Sequence, residues 1–375
     1  MNHPSRGGDG RIPDDPRRQS AHADVAVPAP ILSANRLVNR RDFLQRATET
    51  AKLAGLGAAL GMFDRSRAAA ASATANPWAY DDSKVRKTDP KLLHYHEVSH
   101  FRCTRPSPRC IALTQDEHLL IGAGKYLSEH SVDGTRVSEI ALADEVRCVG
   151  ATPDGSLYVG LRQHVEVFDR KGQRRDTWPS PGSKSYFTGI AAGEADVFVA
   201  DAGTRAVLRY DRSGRLKGRI GEKDKTRNIP GFIIPSPFFD VEIARDGLVR
   251  VANTGRHRVE AYTFDGDLEL SWGTPGWAIE NFCGCCNPIN LTLLPDGRVV
   301  TFEKGIPRVK VYTAEGGFES IVAGAESFAA NAKVCGPNDC TLGGLDGVAD
   351  AKGRIYILDL VAAETRVMER DKAGA

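Results

Sequence analysis

Residues 154–159 read DGSLYV, a tight turn followed by a short strand, and this unit decides the fold. It returns as DGLVRV at 246–251 and as DGRVVT at 296–301. Weaker copies with the same order of turn and strand occupy three further segments, at 115–121, 194–199 and 352–357. Repetition of one small unit is typical of solenoids and propellers, so the repeat has to be interpreted before any single motif.

The spacing of the copies indicates how many strands each unit contains. Their last residues lie at intervals of 38, 40, 52, 50 and 56 residues, and a base spacing near 40 fits four short strands. A second, alternating strand follows each copy, as HVEVF does at 164–168, and a turn with glycine then closes a hairpin, as at 169–172. No helical apolar stripe is present after residue 85. The sequence therefore predicts an all-β, six-bladed β-propeller over residues 92–375.

The sixth copy lacks its fourth strand. Its three strands fall at 347–350, 354–360 and 365–371, and the chain then ends. Residues 92–98 (LLHYHEV) are strand-like and belong to no other copy. Because an open ring would leave an unpaired sheet edge, we expect this N-terminal strand to pair with the last blade and close the ring.

The copies resemble NHL repeats, a family of six-bladed propellers. The best matches are residues 199–205 (VADAGTR) and 255–262 (GRHRVEAY), and the resemblance covers essentially residues 92–371. The resemblance is specific for the fold but says almost nothing about activity, because binding modules, lyases and lactonases all use propeller folds. Residues 284–288 (GCCNP) also resemble an insert found in an exported bacterial branch of NHL proteins.

The N-terminal region has the composition of an export signal. Residues 1–39 are a basic, Pro-rich leader that we expect to be disordered, and 40–75 resemble a twin-arginine signal peptide. Arg40 and Arg41 precede a mild apolar run at 53–63, which is too short to span a membrane. Two Ala-x-Ala cleavage sites follow within residues 71–75, and 76–91 form a linker. The resemblance implies the twin-arginine translocase as a partner and a periplasmic or secreted location.

The charge of the chain excludes one class of function. The formal net charge is +2, and residues 1–75 alone hold 11 basic and 7 acidic groups. The remainder is therefore slightly acidic and lacks the basic surface of a nucleic-acid-binding protein. We expect no membrane span after removal of the signal.

The eight cysteines cluster in the predicted connections between blades or at the first strand of a blade, which places them on one face of the ring. They are Cys103, Cys110, Cys148, Cys283, Cys285, Cys286, Cys335 and Cys340. The extra length of the long repeats, near 222–237, 274–286 and 325–340, lies on the same face.

Three interpretations of the cysteines stay open. An even number in an oxidising compartment favours disulfides, with Cys335–Cys340 as a plausible local pair. Close spacing and the export route favour a bound Fe–S cluster, Zn or Cu, although the spacing matches no standard motif. The third interpretation is a redox-active thiol pair at Cys285 and Cys286.

A second column of residues lies 11 positions before each aligned strand end, where the innermost strands begin. Its members are all polar or sulfur-bearing: Cys110, Cys148, Thr188, Asp240, Asn290 and Asp346. Convergent polar groups in a concave mouth predict a ligand site, and we assign ligand binding to Thr188, Asp240, Asn290 and Asp346.

Other candidates have simpler explanations. His94, His96 and His100 precede Cys103 at a spacing that suits a metal, but such residues are more often exposed strand positions. The acidic residues that end equivalent strands, Asp201, Glu303 and Asp359, more often cap turns than bind a cation.

These observations support two hypotheses of function. The first is an exported binding or scaffold module, with a Cys-rich site that holds a metal or Fe–S cluster and a protein or small-molecule ligand on the loop-rich face. The alternative is a metal- or thiol-dependent enzyme, a lyase, hydrolase or oxidoreductase, that acts at the channel mouth with Asp240, Asn290 and Asp346.

Overall fold

The computed structural model describes residues 83–328 and 344–372, which belong to a unit that spans Pro77–Ala375. The predicted leader, the signal and the first part of the linker lie outside the described residues, as do Cys335 and Cys340. The described chain forms 24 strands in six four-stranded sheets, with short 3-10 turns at Pro90–Leu92, Thr254–Arg256 and Ala325–Ser327. No helix in these described segments has the length and apolar character needed to cross a membrane.

The strands follow one another in chain order, and five blades are formed by four consecutive strands each. The first strand, β1 (Tyr95–Arg102), stands apart from them. Blade 1 contains β2 (Pro108–Leu113), β3 (Leu119–Ala123), β4 (Tyr126–His130) and β5 (Arg136–Ala141). Blade 2 contains β6 (Cys148–Ala151), β7 (Leu157–Gly160), β8 (Val165–Phe168) and β9 (Arg174–Trp178). Blade 3 contains β10 (Phe187–Ala192), β11 (Asp196–Asp201), β12 (Ala206–Asp211) and β13 (Leu216–Ile220).

The second half of the ring repeats this arrangement. Blade 4 contains β14 (Val241–Ile243), β15 (Val249–Asn253), β16 (Arg258–Tyr262) and β17 (Leu268–Trp272). Blade 5 contains β18 (Asn290–Leu293), β19 (Val299–Phe302), β20 (Val309–Tyr312) and β21 (Phe318–Ala323). Blade 6 contains β22 (Leu345–Ala349), β23 (Ile355–Asp359), β24 (Glu364–Arg370) and β1.

The first strand of each blade is the innermost one. Each first strand contacts those of both neighbouring blades, including β22 with β2, so that the six form a closed ring. The middle strands are buried, since apolar side chains on both faces of each sheet pack against the adjacent blades. Together with the six sheets, this ring confirms the predicted β-propeller.

The N-terminal strand closes the ring, as the sequence predicts. β1 pairs antiparallel with β24, from Tyr95 opposite Arg370 to Arg102 opposite Glu364. The strand nevertheless begins and ends later than the predicted residues 92–98. Residues 90–92 form a 3-10 turn that begins with Pro90, and the Asp89 side chain accepts a hydrogen bond from the Lys91 backbone. Proline pre-sets the first helical position, so the chain turns before it extends.

A recurring contact joins each outer strand to the blade that follows it. In five blades, a bulky side chain on the fourth strand covers a glycine in the last hairpin turn of the next blade. The pairs are Phe101 with Gly134, Ile140 with Gly172, Trp178 with Gly214, Ile220 with Gly266, and Trp272 with Gly316. All five glycines have positive φ, a conformation that side chains with a Cβ rarely adopt. These five turn glycines thus serve both the hairpin and the packing between blades.

Candidate functional site

A cavity of about 810 Å³ runs along the axis of the propeller, bounded by the six innermost strands. All six members of the polar column line it: Cys110, Cys148, Thr188, Asp240, Asn290 and Asp346. The structure therefore brings together residues that are up to 236 positions apart in the chain. The reason is the repeat itself, since equivalent positions of equivalent strands face the same axis.

Two members of the column donate hydrogen bonds to the next blade. Thr188 Oγ1 donates to the backbone carbonyl of Phe239 at 2.6 Å, and Asn290 Nδ2 donates to that of Leu345 at 2.8 Å. Each acceptor directly precedes the column residue of the following blade. Inner strands have one unpaired edge, so these side chains satisfy backbone groups that the sheet leaves open.

The two aspartates of the column make the complementary contact. Asp240 Oδ2 accepts from the backbone N–H of Leu291, and Asp346 Oδ2 accepts from that of Ile111, both at 3.0 Å. Each donor directly follows the column residue of the next blade. Four members of the column therefore tie neighbouring blades together in addition to lining the cavity. Of these two roles, the sequence predicted only the lining of the cavity.

The two cysteines of the column pack within their own blades instead. A Cβ added at Gly122 would lie 2.6 Å from Cys110 Sγ, and one at Gly160 would overlap Cys148 Sγ. Both sulfurs are buried, and burial raises the pKa of each thiol above its ordinary value. These cysteines are thiols at neutral pH, a form that is a poor nucleophile and metal ligand.

Three carboxyl groups that face the cavity have raised pKa values. Burial raises the pKa of Asp240 to about 7, and burial together with the charge of Asp240 raises the pKa of Asp346 to about 8. Burial and the charges of both aspartates also raise the pKa of Glu242. None of the three takes part in an ion pair with any residue that the structure describes.

Sequence reasoning missed Glu242. It lies two residues after Asp240, and residues at this spacing share one face of a strand. Extending the column by two positions would have found it. The lining also carries Arg109, Arg147 and Arg245, and Arg147 Nη1 donates to the hydroxyl of Tyr186 at 2.8 Å.

The long insertions contribute less to the cavity than their position suggests. Residues 222–237 connect β13 to β14, and their apolar side chains Ile229, Phe232 and Ile234 pack into the core between blades 3 and 4. Pro237, at the end of this segment, lines the cavity. Most of the 325–340 segment lies outside the described residues.

The other described cysteines lie in connections between blades. Cys103 follows β1, and burial raises the pKa of its thiol to about 11. Cys283, Cys285 and Cys286 precede β18 in the connection from blade 4 to blade 5. Within residues 83–328 and 344–372, no cysteine is in a disulfide, and no three histidine, cysteine or acidic side chains are grouped so that they would hold a metal ion. The disulfide and metal interpretations therefore stay predictions, which also involve Cys335 and Cys340.

Cys283 belongs to a buried cluster of charges in blade 5. Glu303 forms ion pairs with Lys310 at 2.6 Å and with Arg308 at 2.8 Å. Arg308 Nη2 also donates to Cys283 Sγ at 3.3 Å. Lys310 Nζ donates in addition to the backbone carbonyls of Ile279 and Asn281, which fastens the insertion at 274–286 to the blade.

The remaining acidic candidates have structural roles. Asp201 Oδ1 accepts from the backbone N–H groups of Gly203 and Thr204, and Asp359 Oδ1 accepts from those of Val361 and Ala362. Both cap turns, which is the simpler of the two sequence interpretations. Glu303 differs, because its neighbours are cations rather than turn amides.

The histidines of the N-terminal segment are exposed. His94 precedes β1, whereas His96 and His100 lie on it. His96 Nδ1 is 2.7 Å from Asp371 Oδ1, and His100 Nδ1 is 2.7 Å from Glu97 Oε1. These pairs are surface interactions of the closing strand, as the simpler interpretation expects.

Comparison with known proteins agrees with the fold. No protein-family model matches the chain, and no curated protein matches it in sequence. Among solved structures, a streptogramin B lyase is similar with a TM-score of 0.52 and 14% identity, covering 74% of this chain and 98% of its own. Selenomethionine-substituted virginiamycin B lyase from Staphylococcus aureus has a TM-score of 0.50 and 14% identity, with coverages of 73% and 99%.

A third similar structure has no assigned function. It is a structural genomics protein from Bacteroides thetaiotaomicron, with a TM-score of 0.51, 15% identity and coverages of 73% and 72%. At these identities, the similarities establish a shared propeller architecture and nothing about chemistry.

Proposed function

We propose that this protein is an exported binding module that takes a small organic cation into the axial cavity of its propeller. The observation that carries the proposal is the group of Asp240, Glu242 and Asp346. Three carboxyl groups face one cavity of about 810 Å³ and form no ion pair with the described residues.

The three carboxyl groups without an ion pair favour a positively charged guest. The raised pKa values of Asp240 and Asp346 mean that both carboxyl groups are partly protonated near neutral pH. A bound ammonium or guanidinium group would stabilise their ionised forms, since an opposite charge nearby lowers a carboxyl pKa. Binding should therefore release protons from the protein.

The experiment is calorimetric titration of the purified protein with putrescine, agmatine, spermidine and choline. Proton release makes the apparent enthalpy depend on the ionisation enthalpy of the buffer, so each titration is repeated in phosphate and in Tris. We expect one member of the panel to bind and to release protons near pH 7. Asp240→Asn should weaken that binding at least about tenfold, because it removes one charged contact.

The matched control changes a carboxyl group remote from the cavity. Asp133 lies in the turn between β4 and β5, and Asp133→Asn should leave binding unchanged. Absence of binding by all four cations, or equal binding by wild type and Asp240→Asn, would reject the proposal.

Export and the Cys-rich site belong to the same proposal but rest on sequence. Residues 40–75 support export through the twin-arginine pathway, and the cysteines of the connections support a bound metal or cluster. Protein purified from cells with an intact pathway should begin near residue 76. Its metal content, visible absorbance and thiol count then test the metal hypothesis. Four disulfides without metal would exclude it.

One observation favours an enzyme as a second candidate. Carboxyl groups with pKa values of about 7 and 8 can both give and accept a proton at neutral pH. Lyase activity is attributed to two of the structurally similar proteins. Mass spectrometry of the recovered ligand separates the candidates: an unchanged cation supports a binding module, and an altered one supports catalysis.

A further inference from the structure

The insertion between blades 4 and 5 brings two adjacent thiols into contact. Residues 283–286 read CGCC, and the Sγ atoms of Cys285 and Cys286 are 3.3 Å apart. Cys285 is exposed to solvent, whereas Cys286 is buried. One sulfur is therefore accessible to a dissolved reagent, and the other contacts it from the protein side.

The segment that carries the pair is held at both ends. Before it, Phe282 is fully buried against Trp272 and Tyr312. After it, Asn287 Nδ2 donates to the backbone carbonyls of Cys283 and Lys304, at 2.6 Å and 2.9 Å. The two thiols are thus positioned by the packing of blades 4 and 5.

The third cysteine of the insertion has different neighbours. Cys283 is buried, and its sulfur contacts the guanidinium group of Arg308. It belongs to the ion-pair cluster around Glu303 rather than to the solvent-facing pair. The geometry therefore separates Cys283 from its neighbours in sequence.

We propose that Cys285 and Cys286 are a redox-active pair that small-molecule disulfides oxidise. The Cys285 thiolate attacks one sulfur of oxidised glutathione, whose S–S bond breaks, and one glutathione leaves as a thiol. Cys286 then attacks Cys285 Sγ, which releases the second glutathione, and the proton of the Cys286 thiol passes to that leaving group. The two cysteines are oxidised to a disulfide by two electrons, and the oxidant is reduced to two thiols.

The test follows the thiols of one tryptic peptide. The purified protein is incubated with oxidised glutathione, unfolded, alkylated and digested, and residues 259–298 are identified by mass. This peptide contains all three cysteines of the insertion. We expect reduced protein to take three alkyl groups, and oxidised protein to take one, at Cys283, with no glutathione retained.

Variants assign the bond. Cys285→Ser should prevent oxidation, Cys286→Ser should retain glutathione on Cys285, and Cys103→Ser should behave as wild type. Backbone fragmentation of the wild-type peptide locates the disulfide independently of the variants. A Cys285–Cys286 disulfide permits backbone cleavage between residues 283 and 285 but hinders it between residues 285 and 286. Phenylarsine oxide, which bridges adjacent thiols, should protect the pair from oxidation.

Three results would overturn the proposal: three alkyl groups after oxidation, a bond from Cys283 to either neighbour, or a cross-link to residues 334–352, which contain Cys335 and Cys340. None of these results bears on cation binding in the axial cavity, whereas oxidation of the pair would remove Cys285 and Cys286 from the ligands of the proposed metal site.

Discussion

Asp346 Oδ2 accepts a hydrogen bond from the backbone N–H of Ile111 at 3.0 Å, and this contact joins the last innermost strand of the chain to the first. The equivalent contact between Asp240 and Leu291 joins blades 4 and 5. The same carboxyl groups face the axial cavity. Asp346 therefore serves both ring closure and the candidate ligand site. To separate the two roles by experiment, a substitution has to change one of them and keep the other.

Asp346→Ala should destabilise the propeller by about 1 kcal/mol, because it removes the partly buried hydrogen bond to the N–H of Ile111. Urea unfolding monitored by circular dichroism measures the loss. Asp346→Asn keeps an acceptor oxygen and is the control, with a smaller expected effect. Equal stability of wild type and Asp346→Ala would show that the contact contributes nothing to closure.

Stability should decrease as the pH rises from about 5 to about 8. The folded-state pKa values of Asp240 and Asp346, about 7 and about 8, lie above the ordinary value of 3.8. In this window the native state retains protons that the unfolded chain has lost, so raising the pH favours unfolding. The double variant Asp240→Asn, Asp346→Asn should flatten the dependence, as measured by urea midpoints. An unchanged slope would contradict the raised pKa values.

Glu303→Gln should cost about 3–5 kcal/mol, since it leaves the buried cations Arg308 and Lys310 without their shared carboxylate. The matched control is Glu222→Gln, whose ion pair with Arg219 lies at the surface, with an expected loss of about 0–1 kcal/mol. Adding Lys310→Met to Glu303→Gln should recover part of the stability, because one uncompensated charge is removed. Similar losses in the two Gln variants would argue against this account.

Gly160→Ala should destabilise blade 2 by about 1–3 kcal/mol, because the new methyl group would overlap Cys148 Sγ. Cys148→Ala in the same chain removes the sulfur and should restore most of the loss. Gly218→Ala is the control, since nothing lies within 4 Å of a Cβ at that strand position. Thermal melts compare the three. Failure of Cys148→Ala to rescue would place the strain elsewhere.

A chain that begins at residue 103 should lose cooperative unfolding, whereas one that begins at residue 83 should keep it. The shorter chain lacks β1, which leaves β24 as an open edge and removes the buried Tyr95. Open edges promote association, so we also expect aggregation on size-exclusion chromatography. A monomeric shorter chain with an unchanged melting temperature would show that the closing strand is dispensable.

The sequence predicted the number of blades, the closing strand and the residues that meet at the axis. Each of these follows from repetition, because equivalent positions such as Asp240 and Asp346 have equivalent surroundings. The predicted first and last residues of the closing strand were wrong by a few positions, because residues 90–92 form a turn and the strand begins only after it. Glu242 was missed because the column was examined at one position of each strand.

Local pattern alone determined the architecture of this protein, since turn residues and alternating strands act over a few neighbours and recur in every unit. The partners of the side chains were decided by the tertiary structure. Whether Asp346 contacts Ile111, or Glu303 contacts Lys310 rather than a turn, depends on which backbone groups the neighbouring strands leave unpaired and on which charges share a buried space. Those conditions arise only once the strands are assembled into sheets and the sheets into a ring.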